Sequence, residues 1–185
     1  MNPIPFANAH DPRVIKKAQA GQRKAQAELI RQLQDPWYRC CLAMLGDTHT
    51  AADAVQETAM RFIQHLPAFR GDSQLKTWAL GIGLNVCREL RRAQSNQPAA
   101  LIDQHDTPHP APSPDARAIA GEQRTQLNLL LDQLAPRQRE ALVLRYFEQL
   151  SVDQTAQLMD CAPGTVKATV AQALDRLRQL WSDPS

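Results

Sequence analysis

Four cysteines and five histidines are the residues of this chain best suited to covalent or metal chemistry. Their spacing does not assemble any. Cys40 and Cys41 are adjacent, Cys87 and Cys161 stand alone, and no CxxC or Cys/His cluster has the spacing of a zinc site. His10, His49, His65, His105 and His109 are scattered. No glycine-rich phosphate loop and no Ser/His/Asp pattern is visible. The chain is therefore expected to be no enzyme, to take no cofactor and to hold no metal. Its thiols are expected to be buried or half-buried in a reducing compartment, with a redox-sensing thiol as the alternative. Binding of a nucleic acid through cations is a further role that the composition can weigh.

The overall balance, 21 basic against 19 acidic residues, argues weakly against such a role, but the charge is unevenly spread. Residues 1–96 hold 13 Lys and Arg against 8 Asp and Glu, whereas residues 114–185 hold 8 against 9. Between them lie only Asp103 and Asp106. A polyanion should meet the first part more strongly. No stretch approaches the ~18 apolar residues of a membrane span, and Met1 to Asp11 lacks the basic start and apolar run of a signal peptide. A cytoplasmic protein without membrane insertion is expected.

These side chains must be positioned by helices. Neither alternating strand runs nor Asn-Gly or Asp-Gly hairpin signals occur. From His49 to Leu66, Ala51, Val55, Ala59, Phe62, Ile63 and Leu66 mark one helical face. From Leu75 to Arg92, Leu75, Trp78, Ala79, Ile82, Val86 and Leu90 mark another. Between Ser95 and Pro114 the patterning breaks, with five of the chain's thirteen prolines at Pro98, Pro108, Pro110, Pro112 and Pro114. The expected fold class is all-α. Two small helical domains, residues 1–95 and 115–185, are joined by a flexible Pro-rich linker over 96–114.

In the second domain, helices are expected near 115–134, 136–148, 151–159 and 163–181. Ser151 and Gln154 form a capping box, and Pro163 suits a first helical position. Asp160, Cys161 and Ala162 make a three-residue turn between the last two helices, the spacing of a helix-turn-helix. Val166, Val170, Ala173, Leu174, Leu177 and Trp181 would face inward. Thr165, Lys167, Ala168, Thr169, Gln172, Asp175 and Arg176 would face outward. A plain helical bundle without DNA contact explains the same spacing.

Residues 51–92, AADAVQETAMRFIQHLPAFRGDSQLKTWALGIGLNVCRELRR, resemble region 2 of bacterial sigma factors, and most of all the extracytoplasmic-function group of the sigma-70 family. Residues 131–180, LDQLAPRQREALVLRYFEQLSVDQTAQLMDCAPGTVKATVAQALDRLRQL, resemble region 4 of that group. The resemblance implies a transcription initiation factor that binds core RNA polymerase, recognises −10 and −35 promoter elements and promotes DNA melting. It implies that Asp53, Val55, Gln56 and Glu57 bind the polymerase clamp helices. The first, third and fourth of these form a polar patch at helical spacing. It assigns the −10 element to the loop Arg70, Gly71, Asp72 and Ser73 and to the helix after it. There Lys76, Arg88, Arg91 and Arg92 would hold phosphates with Arg70, Asn85 would read a base edge, and Trp78 would either stack on DNA or pack in the core. It assigns the −35 element to Thr165, Lys167, Ala168, Thr169, Gln172 and Arg176. The linker would run toward the RNA exit path. An anti-sigma factor is the implied further partner, and no room is expected for the extra domains of larger sigma factors or a carboxyl-terminal extension.

The sequence also departs from the family pattern. Thr169, Gln172 and Leu174 stand where basic residues are common, and Asp175 adds an acid. Ala162 takes the place of a capping serine, and Gly81 and Gly83 interrupt a helix. Two accounts of the second domain follow: an unusual −35 preference, or a domain that mainly binds proteins. An operator-binding regulator without polymerase and a protein–protein adaptor are the alternatives from other classes.

Overall fold

The computed structural model describes residues 11–96 and 126–182. The expected linker over 96–114, with Asp103 and Asp106, lies outside the described residues except for Asn96, which is helical as the last residue of α4. The helices are α1 (Pro12–Gln19), α2 (Arg23–Leu45), α3 (Thr48–His65) and α4 (Leu75–Asn96), then α5 over 126–132, α6 (Pro136–Leu142), α7 (Val152–Met159) and α8 (Pro163–Ser182). A short 3₁₀ turn, Leu66–Ala68, follows α3, and a π-helical turn, Val143–Phe147, follows α6. Among the described residues there is no strand.

Local chemistry sets the helix ends. Asp11 accepts from the Arg13 amide at 2.8 Å, and Pro12 starts α1. Asp47 accepts from the Thr50 amide at 2.6 Å to open α3. The long α2 carries Pro36 in its interior and ends at Gly46, whose φ of 81° supplies the left-handed stop. The pattern had marked the break after α4 at Ser95, but α4 continues to Asn96. Ser95 stays helical by donating its hydroxyl to the Arg91 carbonyl at 2.9 Å.

The first core is a row of aromatics. Trp37 and Phe62 pack edge-on with centroids 5.3 Å apart, Phe62 meets Trp78 at 5.7 Å, and Trp78 meets Phe69 at 5.0 Å. The buried Trp37 Nε1 donates to the Ala79 carbonyl at 3.0 Å, tying α2 to α4. On α3 the inner face is one residue off the expected set: Ala51, Ala54, Thr58 and Phe62 are buried, while Val55, Ala59 and Ile63 sit at its border. On α4 burial spreads further than one stripe, taking in Thr77, Leu80, Leu84 and Cys87. The wrap arises because α4 packs on α2 and α3 on one side and α7 on another.

The two glycines of α4 have separate reasons. A Cβ on Gly83 would lie 3.4 Å from Thr58 Cγ2, and one on Gly81 would lie 3.0 Å from Leu158 Cδ2 on α7. The second marks a close approach between the two parts of the chain. The two parts pack against each other: Leu131, Leu134, Leu144, Leu150, Met159 and Val166 join the same continuous core as α2 and α4. The π turn packs against α2. Its geometry follows from the Glu148 amide reaching back five residues to the Val143 carbonyl at 3.1 Å.

Three cysteines, Cys40, Cys41 and Cys87, are buried at the α2–α4 contact, and Cys161 is half-buried. Burial pushes the Cys40 thiol up, and a hydrogen bond to Cys41 together with burial does the same for Cys87. Neither is a ready thiolate.

Candidate nucleic-acid interface

The second part of the chain forms a helix-turn-helix from α7 and α8. Gln154 N donates to Ser151 Oγ at 3.1 Å while Ser151 N donates to Gln154 Oε1 at 2.8 Å, the reciprocal capping box expected there. Asp160 closes α7 in the left-handed region at φ 49°. Ala162 offers only its carbonyl to α8, accepting from Thr165 N at 2.9 Å and Val166 N at 3.3 Å. Val166 and Ala173 are buried, and Val170, Leu174 and Leu177 are partly so. Trp181, expected inside, is instead 73% exposed.

The outward face of α8 presents Thr165, Lys167, Ala168, Gln172 and Arg176 to solvent, with Thr169 half-buried at its edge. This is a weakly charged surface. Asp175 is taken up by Arg178, whose Nη1 lies 2.5 Å from its carboxylate.

In the first part, α3 presents Asp53 and Gln56 outward with Met60, which is 57% exposed. Val55 is half-buried beside them. Glu57 accepts from Arg61 Nε at 2.6 Å, and Arg61 also pairs with Glu89 of α4 at 2.8 Å. Those two carboxylates hold the Arg61 guanidinium firmly protonated, Glu89 first. The acidic edge is thereby partly spent within the protein.

The loop between α3 and α4 turns at Gly71, φ 84°. Arg70, Gly71 and Asp72 are exposed, and Ser73 is half-buried. Its entry is fixed by Gln19, whose Nε2 donates to the carbonyls of Leu66 at 3.2 Å and Phe69 at 2.8 Å. Trp78 is half-buried against Phe62 and Phe69, so core packing accounts for one side of its ring.

The remaining cations of α4 divide. Arg92 is exposed. Arg91 donates to the Met44 carbonyl at the end of α2 at 2.7 Å. Arg88 is engaged on several sides: it reaches both carboxylate oxygens of Glu140 on α6, the Leu158 carbonyl at 3.2 Å and Asn85 Oδ1 at 2.9 Å. Lys76 lies 3.2 Å from Glu148 Oε2, and Arg39 of α2 lies 3.4 Å from Oε1 of the same carboxylate. Burial pushes the Glu148 carboxyl up, with Lys76 and Arg39 opposing.

The reading of the sequence missed Gln19, Glu140, Glu148 and Arg139. Arg139 is 1% exposed and donates to the carbonyls of Leu131 at 2.7 Å and Met44 at 2.9 Å, besides pairing with Asp132. Burial lowers its affinity for the proton. Charged residues in PRQRE and LRYFE look solvated when only periodicity is read. Their burial depends on contacts with α2 and α4, far away in sequence.

Comparison with known proteins agrees with this geometry. Residues 29–97 match the model of sigma-70 region 2, and residues 124–177 match that of sigma-70 region 4. The chain is 30% identical over 171 residues to the ECF RNA polymerase sigma factor SigC of Mycobacterium tuberculosis, covering 88% of this chain and 86% of that protein. It is 26% identical over 176 residues to the RNA polymerase sigma-H factor of Pseudomonas aeruginosa, covering 90% and 91%. Among solved structures, CnrH in complex with the cytosolic domain of CnrY shares the fold at a TM-score of 0.73 and 19% identity, over 93% of this chain and 97% of that one. The sigma factor RpoE of Bartonella quintana, solved with the anti-sigma factor NepR, does so at 0.65 and 22%, over 86% and 98%. No helix of the described residues is long and apolar enough to cross a membrane, and no group of three or more His, Cys, Asp or Glu among them could hold a metal ion. On the strength of both regions and of relatives matched along nearly the whole length, the chain belongs to the extracytoplasmic-function group of the sigma-70 family, transcription initiation factors that are not enzymes.

Proposed function

We propose that this chain is a dissociable cytoplasmic subunit that joins core RNA polymerase, recognises −10 and −35 promoter elements and promotes DNA melting. One observation carries the reading: the helix-turn-helix leaves the outer face of α8, from Thr165 to Arg176, open to a major groove. The same chain bears a loop and helix with cations suited to a single strand, in Arg70 and in α4.

Region 2 is taken to span residues 1–95 and region 4 residues 115–185. Asp53, Val55, Gln56 and Glu57 would dock on the polymerase clamp. Arg70 to Ser73, Lys76, Trp78, Asn85, Arg88, Arg91 and Arg92 would serve the −10 strand. The exposed residues of α8 would serve −35 DNA. An anti-sigma protein that covers both regions is the proposed negative partner, a reading supported by two solved structures of this fold, one in complex with the anti-sigma factor NepR and one with the cytosolic domain of CnrY.

A second reading of region 4 has an observation in its favour. The outer face of α8 offers only Lys167 and Arg176 among the proposed contacts, beside an acid that is already paired. Such a surface would also suit a protein partner. Run-off transcription with core polymerase on a randomised promoter library tests both. Transcripts that share a −35 sequence support the first reading. Transcripts that share only a −10 sequence support the second, and none at all defeats the proposed function.

A further inference from the structure

The loop from Arg70 to Ser73 has little to hold it in place. Arg70, Gly71 and Asp72 are exposed, and a Cβ added at Gly71 would meet nothing within 4 Å. Among the described residues, no side chain hydrogen-bonds the backbone of these four. The loop's direction is therefore set where it leaves the core, at Leu66 and Phe69. Phe69 N donates to the Leu66 carbonyl at 3.1 Å, and the Phe69 ring packs on Trp78. The remaining support comes from far away in sequence. Gln19, the last residue of α1, donates from one amide nitrogen to both carbonyls, Leu66 at 3.2 Å and Phe69 at 2.8 Å. An amide nitrogen carries two N–H groups, one for each acceptor. Gln19 is itself held. Ala18 beside it is buried, and its carbonyl accepts from Gln26 Nε2 of α2 at 3.1 Å.

We propose that Gln19 is a positioning residue for −10 recognition: it aims the loop from Arg70 to Ser73, and thereby sets how sharply that loop discriminates among −10 sequences. The proposal rests on the reading that this loop serves the −10 strand, and deepens it. Gln19 touches no DNA. It acts through the backbone on either side of the 3₁₀ turn. Reading a base edge demands donors and acceptors in fixed places. Attraction of Arg70 to phosphate makes no such demand and carries no sequence information. A loop released at Phe69 would leave the core in several directions, each suited to different bases. Its selectivity would fall while its charge still drew it to DNA.

Gln19→Leu keeps the size of the side chain and removes both donors. Gln19→Glu has nearly the same shape and sets a carboxylate against the two carbonyls. Both are good helix formers at a half-buried position, and circular dichroism checks the fold. Trypsin cleavage after Arg70 in the full-length chain reads the brace, since cleavage follows the population of the opened loop. It should quicken by roughly fivefold, the effect of one ordinary hydrogen bond. Run-off transcription by the holoenzyme then reads selectivity, on promoters varied at single −10 positions with a constant −35 element, and the reverse. The preference for the best −10 sequence over its single-base variants should fall by a similar factor, with the −35 preference unchanged. Unchanged cleavage in both variants overturns the brace. Faster cleavage with −10 selectivity intact overturns the positioning role, as does a loss of transcription shared equally by all promoters. A wild-type holoenzyme without any −10 preference defeats the underlying reading, whereas a selective wild type with equally selective variants discards the role of Gln19 alone.

Discussion

Lys76 Nζ lies 3.2 Å from Oε2 of Glu148, a carboxylate with no exposed side-chain surface. Arg39 Nε approaches the other oxygen at 3.4 Å, and neither contact is a well-directed hydrogen bond. Two charges therefore face a buried acid without satisfying it, and burial wins: the carboxyl sits above its usual range.

The sign of that shift predicts a pH dependence. The folded chain binds the Glu148 proton more tightly than the unfolded chain, whose glutamates titrate near about 4.3. This group's contribution to stability is thus greatest at low pH. It falls as pH rises from that range through the raised folded value, then levels off. Glu148→Gln removes this component of the slope and leaves stability near neutral pH equal or higher. Urea unfolding at several pH values checks it. A variant clearly less stable than wild type at neutral pH contradicts the assignment.

Arg139 makes the opposite prediction. Its fork serves the carbonyls of Leu131 and Met44 and the Asp132 carboxylate, and no water reaches it. Arg139→Ala should cost about 2–5 kcal/mol, because buried acceptors lose their donor. Arg139→Lys should recover little of this, since an ammonium cannot span three divergent acceptors. Denaturation midpoints measure both. A lysine variant as stable as wild type refutes the geometric argument.

Much of this was legible beforehand and some was not. Caps and turns are local, so the Ser151–Gln154 box, the Asp160–Ala162 turn and the helix-turn-helix could be read from spacing. The split of charge between the two parts was equally plain. Burial set by distant partners was not. Ala54 and Thr58 replaced Val55 and Ala59 as the inner face of α3 because α2 and α4 together choose which side is covered. Glu140, Glu148 and Arg139 looked like surface charges until α2 and α4 were placed over them. Pro36 gave no break in α2, because the helix is held on both sides of it by Leu33, Trp37 and Cys40 in the core.

The glycines allow a paired test. Gly83→Ala should stabilise the chain by about 0.5–1 kcal/mol, since its Cβ meets Thr58 and Trp37 at 3.4–3.5 Å, ordinary contact distance, inside a helix. Gly46→Ala should destabilise it, since φ is +81° and Asp132 Oδ2 would lie 3.0 Å from the new carbon. Thermal unfolding of both variants is decisive if the two shifts share a sign, which would defeat the explanation.

At the recognition helix, Lys167→Ala should weaken promoter binding by the holoenzyme for every −35 sequence and lower the salt slope by about 0.9. Titrations across a salt series measure it. An unchanged slope assigns Lys167 no phosphate and favours the protein-binding reading of region 4.

The carbonyl of Met44 accepts from two guanidiniums, Arg91 of its own region at 2.7 Å and Arg139 of the other at 2.9 Å. This is redundancy at a joint. A helix end left bare would resist separation, because its carbonyls would lose their donors. Were Arg139 to withdraw, the end of α2 would keep Arg91, so its terminus would not be left unsatisfied. Arg139 in turn keeps Asp132 and Leu131, which travel with it. Each side thus holds a donor or acceptor of its own besides the one they share at Met44.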